Sequence, residues 1–137
     1  MDNCIFCKIA KKEIPADIVY EDENFIAFLD LSPATIGHTL VVPKEHSRDL
    51  IHMNDKDSDG FMTAIKKVAK AVQKSVGADG FNLELNNGEC AGQFVFHTHI
   101  HIIPRSKNDG VHNRYNKVAK PSDGDFKKLA ESIKAKL

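Results

Sequence analysis

Apolar positions recur along this chain in two rhythms, and the switches between them lay out its elements. "IPADIVYEDENFIAFLDLSP" (residues 14–33) holds two short alternating runs broken by "EDEN", which predicts two strands joined by a turn. In the second run, Phe25 to Asp30, the residues Ile26, Phe28 and Asp30 fall on one face. Pro33 and Gly37 punctuate a loop, and "HTLVVP" gives a third strand, His38 to Pro43, with His38, Leu40 and Val42 on one side. The spacing then changes to three and four. Phe61, Ile65, Val68, Ala69, Val72 and Val76 form one stripe, predicting a long helix capped at Asp57 or Ser58 and stopped at Gly77. "FNLELNN" reads as a fourth strand and "FVFHTHIHII" as a fifth, ended by Pro104, with the loop "GECAGQ" between them. A polar, irregular stretch from Arg105 to Pro121 leads to a short helix capped by Ser122 or Asp123, with Phe126, Leu129, Ala130 and Ile133 as its stripe. Five strands with segregated helices predict an α+β domain on an antiparallel sheet.

Composition narrows the classes. The 137 residues, 42% hydrophobic and 28% charged, fit one ordinary globular domain over 1–137. Lys plus Arg equals Asp plus Glu at 19 each, which argues against a nucleic-acid surface and leaves room for a small-anion site. No run approaches the roughly 20 apolar residues of a membrane span. "MDNCIFCKIAKK" lacks the apolar core of a secretory signal. Three cysteines, two of them the close pair Cys4 and Cys7, fit a reducing, cytoplasmic compartment.

The segment "VFHTHIHIIPR" (95–105) carries His97, His99 and His101, three of the seven histidines, at every second position. On a strand they share a face, about 7 Å apart, with Thr98, Ile100 and Ile102 on the other. Three readings compete: a solvated face, a metal site and a catalytic cluster. Ligands spread over roughly 14 Å cannot all reach one ion at about 2 Å, so a metal would take one or two of them plus ligands from elsewhere. A central imidazole titrating near about pH 6.5 is largely neutral at neutral pH and can act as a nucleophile. Gly88 and Gly92 can serve a hairpin turn or aim backbone N–H groups at an anion. Their position directly before the histidines favours the catalytic reading.

Four blocks carry a resemblance: "CIFCKI…EIPA" (4–16), "FLDLSP" (28–33), "GHTLVVPKEH" (37–46) and "GQFVFHTHIHIIPR" (92–105). Together they resemble the histidine triad family, in particular its Hint-like branch of nucleotide hydrolases, over about residues 4–105. The resemblance implies covalent nucleotidyl transfer, with His99 attacking the α-phosphorus and its Nδ1–H held by the carbonyl of His97. It implies that His101 holds phosphate oxygens and assists the leaving group, that His38 is a fourth active-site histidine, and that Gln93 contacts the bridging or leaving-group atom. Asp30 would accept from ribose hydroxyls, Asn86 would contact the phosphate side, and Ile5, Phe6, Ile9, Phe28, Leu31 and Leu40 would wall the base pocket. Those six would look the same as plain core residues. Phe94 stands where some members have a serine that contacts the phosphate, and the tail after Arg105 lies outside the match. His52 and His112 match nothing and read as surface residues.

The same resemblance implies a structural zinc on Cys4, Cys7, His46 and His97, a closed Cys2His2 set. The family's homodimer, with two five-stranded sheets aligned edge to edge, implies a contact through the long helix and "FNLELNN". The expected activity is hydrolysis of purine nucleoside phosphoramidates. The alternatives are a dinucleoside polyphosphate hydrolase and a zinc-stabilised nucleotide- or partner-binding module without turnover.

Overall fold

The computed structural model describes residues 3–111 and 118–137, so His112 lies outside the described residues. Its antiparallel sheet consists of β1 (Ile18–Glu21), β2 (Phe25–Leu29), β3 (Thr39–Pro43), β4 (Gly80–Glu84) and β5 (Ile100–Arg105), in the spatial order β1-β2-β3-β5-β4. Among the described residues three α-helices accompany it: α1 (Ile5–Ala10), α2 (Asp55–Val76) and α3 (Asp123–Lys134). The expected α+β class with five antiparallel strands, one long helix and shorter ones is the observed one. None of these helices is long and apolar enough to cross a membrane.

Alternation divides the sheet into two chemically distinct faces. On one face, Val41, Ile100 and Ile102 meet Ile65, Val68 and Val72 of α2 and Phe126, Ala130 and Ile133 of α3 in the main core. Burying each large apolar side chain here contributes about 1.5–3 kcal/mol. On the other face, Ile26, Phe28, Leu40 and Val42 pack against Phe6 and Ile9 of α1 in a smaller core. Because Ile100 and Ile102 face the helices, His101 between them faces the α1 side, opposite Leu40 of β3 and Glu84 of β4. The helix pair therefore supports one face of the sheet, and His101 lies on the other, α1 face.

Two glycines are required by geometry. Gly77 ends α2 at φ 67°, and its N–H bonds the Gln73 carbonyl. Gly37, at φ 97°, sits so close to the end of α2 and to β5 that a Cβ would lie 2.9 Å from Val76 Cγ1 and 3.2 Å from Pro104 Cγ. It thereby sets the entry of His38 into the sheet.

Three expectations need correction, and one helix has no counterpart among them. The fifth strand begins at Ile100, so His97 and His99 precede it rather than lying on it. Pro104 is inside that strand, paired with Phe81. Its carbonyl accepts from Thr35 Oγ1 at 2.8 Å, which places its missing N–H on the side where β3 has already ended, so no ladder bond is lost. The N-cap of α2 is Asn54, whose Oδ1 accepts from the Asp57 N–H at 2.7 Å, while Asp57 itself lies in the first turn. The short helix α1 was not foreseen: Cys4 caps it, its Sγ accepting the Cys7 N–H.

Candidate active site and metal centre

Without a strand ladder, the histidine segment is fixed by other bonds. His97 Nε2–H donates to the Pro43 carbonyl at 2.7 Å, the Thr98 N–H donates to the Ser47 carbonyl at 2.7 Å, and His99 Nδ1–H donates to the His97 carbonyl at 2.7 Å. A carbonyl only accepts, so each of these imidazoles has its tautomer set. His99 carries its proton on Nδ1, leaving Nε2 as the nitrogen with the lone pair. His97 carries its proton on Nε2, leaving the lone pair on Nδ1.

A second relay sets His101. The Ala34 N–H donates to His38 Nδ1 at 3.0 Å, so His38 carries its proton on Nε2. That nitrogen lies 2.9 Å from His101 Nδ1, which must accept, and 3.5 Å from Asp30 Oδ2. His101 therefore presents Nε2–H as a donor. The rings of His99 and His101 lie 5.1 Å apart edge to face, so an imidazole with its lone pair on Nε2 stands beside one with its proton there.

Both rings line a pocket of about 340 Å³ on the α1 face, within the size range of a small-molecule site. Ile5, Phe6, Ile9, Phe28, Leu31 and Leu40 all line it. Phe6, Ile9, Phe28 and Leu40 serve as core and wall at once, whereas Ile5 and Leu31, 46% and 56% exposed, form its rim. The Phe6 ring stands edge-on to both Phe28 and His99. Asp30 also lines the pocket, its Oδ1 accepting from the Ser32 N–H at 2.8 Å.

Three predicted residues sit elsewhere. His38 is buried behind His101 and does not line the pocket. The amide of Gln93 is turned into the protein: Oε1 accepts from the Gly88 N–H, and Nε2 donates to the Arg48 and Val95 carbonyls. It organises the loop instead of pointing at the space beside His99. Asn86 donates to Glu84 Oε1 at 3.1 Å and is likewise absent from the lining. His52 is exposed and pairs with Asp49 at 2.6 Å. Phe94, singled out in the sequence, lines the pocket, and among pocket residues not anticipated from the sequence are Ile14, Pro15 and Ala16, which follow α1, and Val95 before the histidines. Ile14, Pro15 and Ala16 belong to the "EIPA" block, which was the only signal for them.

Behind the pocket, Cys4, Cys7, His46 and His97 converge, with one ligand atom from each within 4.8 Å of the others. Cys4 Sγ and Cys7 Sγ lie 3.3 and 3.5 Å from His97 Nδ1, and Cys7 Sγ lies 3.3 Å from His46 Nδ1. A tetrahedron of sulfur and nitrogen at zinc bond lengths has edges of about 3.3–3.8 Å, so the four residues fit that ion. His97 already directs its lone pair at the cysteines because Nε2 is engaged by Pro43, the usual arrangement for an oriented metal ligand. Burial pushes the His97 imidazole down to about 4 and lowers that of His46, which favours their neutral, ligating forms. Burial, reinforced by Cys4, pushes the Cys7 thiol up to about 11, so ligation by this thiol would displace a proton. Asp30, His38 and His101 also converge, with a 2.9 Å hydrogen bond between the two imidazoles.

Comparison with known proteins finds relatives in sequence and in structure. The HIT domain family model matches residues 11–108. An uncharacterized HIT-like protein of Borreliella burgdorferi is 50% identical over 112 residues, 80% of this chain and 81% of that protein. An adenosine 5'-monophosphoramidase of Schizosaccharomyces pombe is 41% identical over 107 residues, 78% of this chain and 77% of its own length. An adenylylsulfatase of Arabidopsis thaliana is 41% identical over 108 residues, covering 79% of this chain and 55% of that one. Among solved structures, a Hit-like protein from Bartonella henselae superimposes with a TM-score of 0.91 at 36% identity, covering 100% of this chain and 98% of that one. A Zn-bound histidine triad family protein from Mycobacterium smegmatis does so with a TM-score of 0.86 at 36% identity, covering 98% and 93%.

Proposed function

This chain belongs to the HIT domain family, and from that premise we propose that it hydrolyses purine nucleoside phosphoramidates of the adenylate–amine type through a nucleotidyl-histidine intermediate. The observation that carries the reading is the pair of fixed tautomers at one pocket wall: a lone pair on His99 Nε2 beside a donor on His101 Nε2. The base lies between the apolar walls and the ribose hydroxyls meet Asp30. In the first step His99 Nε2 bonds to the α-phosphorus as the phosphorus–amine bond breaks, and the amine departs with that electron pair and takes a proton from solvent. Water then attacks the same phosphorus, losing its proton to solvent, and the electron pair of the phosphorus–nitrogen bond returns to Nε2. His101 Nε2–H bonds a non-bridging oxygen on which negative charge develops. The test is turnover of an adenosine phosphoramidate beside a diadenosine polyphosphate. Preference for the second would reassign the substrate class, and turnover of neither would leave a binding module.

Zinc belongs to this reading as a structural element on Cys4, Cys7, His46 and His97. It would cross-link α1, the segment after β3 and the histidine segment, and no step of the reaction runs through it. Protein purified without chelator should carry about one zinc per chain by elemental analysis, and Cys7→Ser should carry less than about a tenth of that. Wild-type protein below that level would remove the metal from the reading.

We also place a homodimer contact at β4. It is an edge strand with Phe81 and Leu83 exposed at 39% and 40%, the kind of edge that soluble proteins cover. Leu83→Glu should convert a dimer to a monomer in sedimentation equilibrium. A wild-type monomer at micromolar concentration would refute the contact.

A further inference from the structure

The histidine segment poses a mechanical problem. The β3–β5 ladder runs only from Thr39↔Ile102 to Val41↔Ile100, and the β4–β5 ladder stops at Glu84↔His101. His99 lies outside both, yet its ring is buried and its Nδ1–H is aimed at a carbonyl two residues earlier. That carbonyl can hold the tautomer only if the backbone from His97 to His99 is itself held.

We propose that Ser47 and Thr98 are positioning residues for His99, forming a buried hydroxyl clasp that replaces the missing strand ladder. Ser47 Oγ and Thr98 Oγ1 lie 2.7 Å apart, and Thr98 Oγ1–H is also within 3.1 Å of the Ser47 carbonyl, which accepts the Thr98 N–H as well. Both side chains are buried, and the partners are 51 positions apart in sequence. The sequence places the clasp at the junction of two functions. Ser47 follows His46, and Thr98 separates His97 from His99. Through Thr98, beside the bond from His97 to Pro43, the 43–47 segment thus grips the backbone between the metal-site histidine and the nucleophile. Alternation puts Thr98 on the face of Ile100 and Ile102, and in the structure its buried hydroxyl is engaged by Ser47.

A clasp of this kind sets geometry, not chemistry. Neither hydroxyl lines the pocket, so removing one should leave substrate affinity nearly intact while the nucleophile loses alignment. Small misplacements of a reacting group can cost up to about 100-fold in rate. Thr98→Val keeps the shape and deletes the hydroxyl, and Thr98→Ser keeps the hydroxyl and deletes a methyl. The role in catalysis rests on the reading of His99 as nucleophile, whereas the effect on its tautomer does not.

The experiment combines steady-state kinetics on an adenosine phosphoramidate with histidine ¹⁵N spectra of the zinc-loaded protein. In Thr98→Val, kcat should fall roughly tenfold or more with KM within about twofold, and the His99 Nδ1–H signal should lose its fixed-tautomer character. Thr98→Ser should restore both. The double variant Ser47→Ala/Thr98→Val leaves no unpaired hydroxyl. If Thr98→Val acted only by stranding a buried polar group, the double variant would recover, whereas loss of the clasp predicts that kcat stays low. An unchanged His99 tautomer and unchanged kcat in Thr98→Val, with wild type forming an adduct on His99, overturns the clasp and leaves the mechanism standing. No adduct on wild-type His99, with a tautomer that responds to Thr98→Val, overturns the mechanism and keeps the clasp.

Discussion

His99→Ala should lose turnover of an adenosine phosphoramidate by at least about 10⁴-fold while still binding adenosine monophosphate, because a covalent nucleophile has no substitute nearby. The neighbouring rings do not qualify. His97 directs its lone pair toward Cys4 and Cys7, behind the pocket, and His101 uses its Nδ1 lone pair to accept from His38. Only His99 has its proton drawn to Nδ1 by a carbonyl and its ring in the pocket wall. Steady-state kinetics together with calorimetric titration of the monophosphate measures both halves. A residual rate within about tenfold of wild type would mean that water attacks directly and no covalent step is needed.

His101→Ala should lower kcat by about 10²- to 10³-fold, the scale for deleting one preorganised donor to developing negative charge. The donor exists because of a chain of two hydrogen bonds. The Ala34 N–H fixes His38, and His38 fixes His101, so that Nε2–H faces the pocket. His101→Gln, which retains an N–H donor, should recover part of the loss, and His38→Ala should produce a smaller loss of the same kind by freeing the His101 tautomer. If His101→Ala instead raised KM alone, the ring would be a ground-state contact and not a stabiliser of the transition state.

Much of this was legible in the chain, for reasons that differ from element to element. The helix α2 shows in sequence because its 22 residues carry one uninterrupted stripe and end on a glycine that adopts φ 67°. Its start was misplaced because "NDKDSD" offers several residues able to cap, and the backbone chose Asn54. The six-residue helix α1 was invisible to periodicity, since its turn depends on packing of Phe6 and Ile9 against the sheet. The histidine spacing pointed to the segment whose His99 and His101 line the pocket, and the metal set came from the resemblance. The strand geometry assigned to it was wrong from His97 to His99, because bonds to Pro43 and Ser47, about 50 positions away, take over from the ladder. Orientation was the least legible property. Gln93 sits two residues before Val95 at the pocket edge, yet its amide is wholly committed to backbone groups. Nothing in the residue type announces which way such an amide will turn.

The most direct measurement is the mass of the trapped intermediate. Wild-type protein would be mixed for milliseconds with an adenosine phosphoramidate, quenched in denaturant at alkaline pH to preserve a phosphorus–nitrogen bond, and digested for peptide mass analysis. The expected result is an adenylyl group on His99, at a level that rises and decays within one turnover and is absent from His99→Ala. Full turnover with no adduct, or an adduct carried by His97 or His101 instead, would contradict the assignment of His99 as the nucleophile.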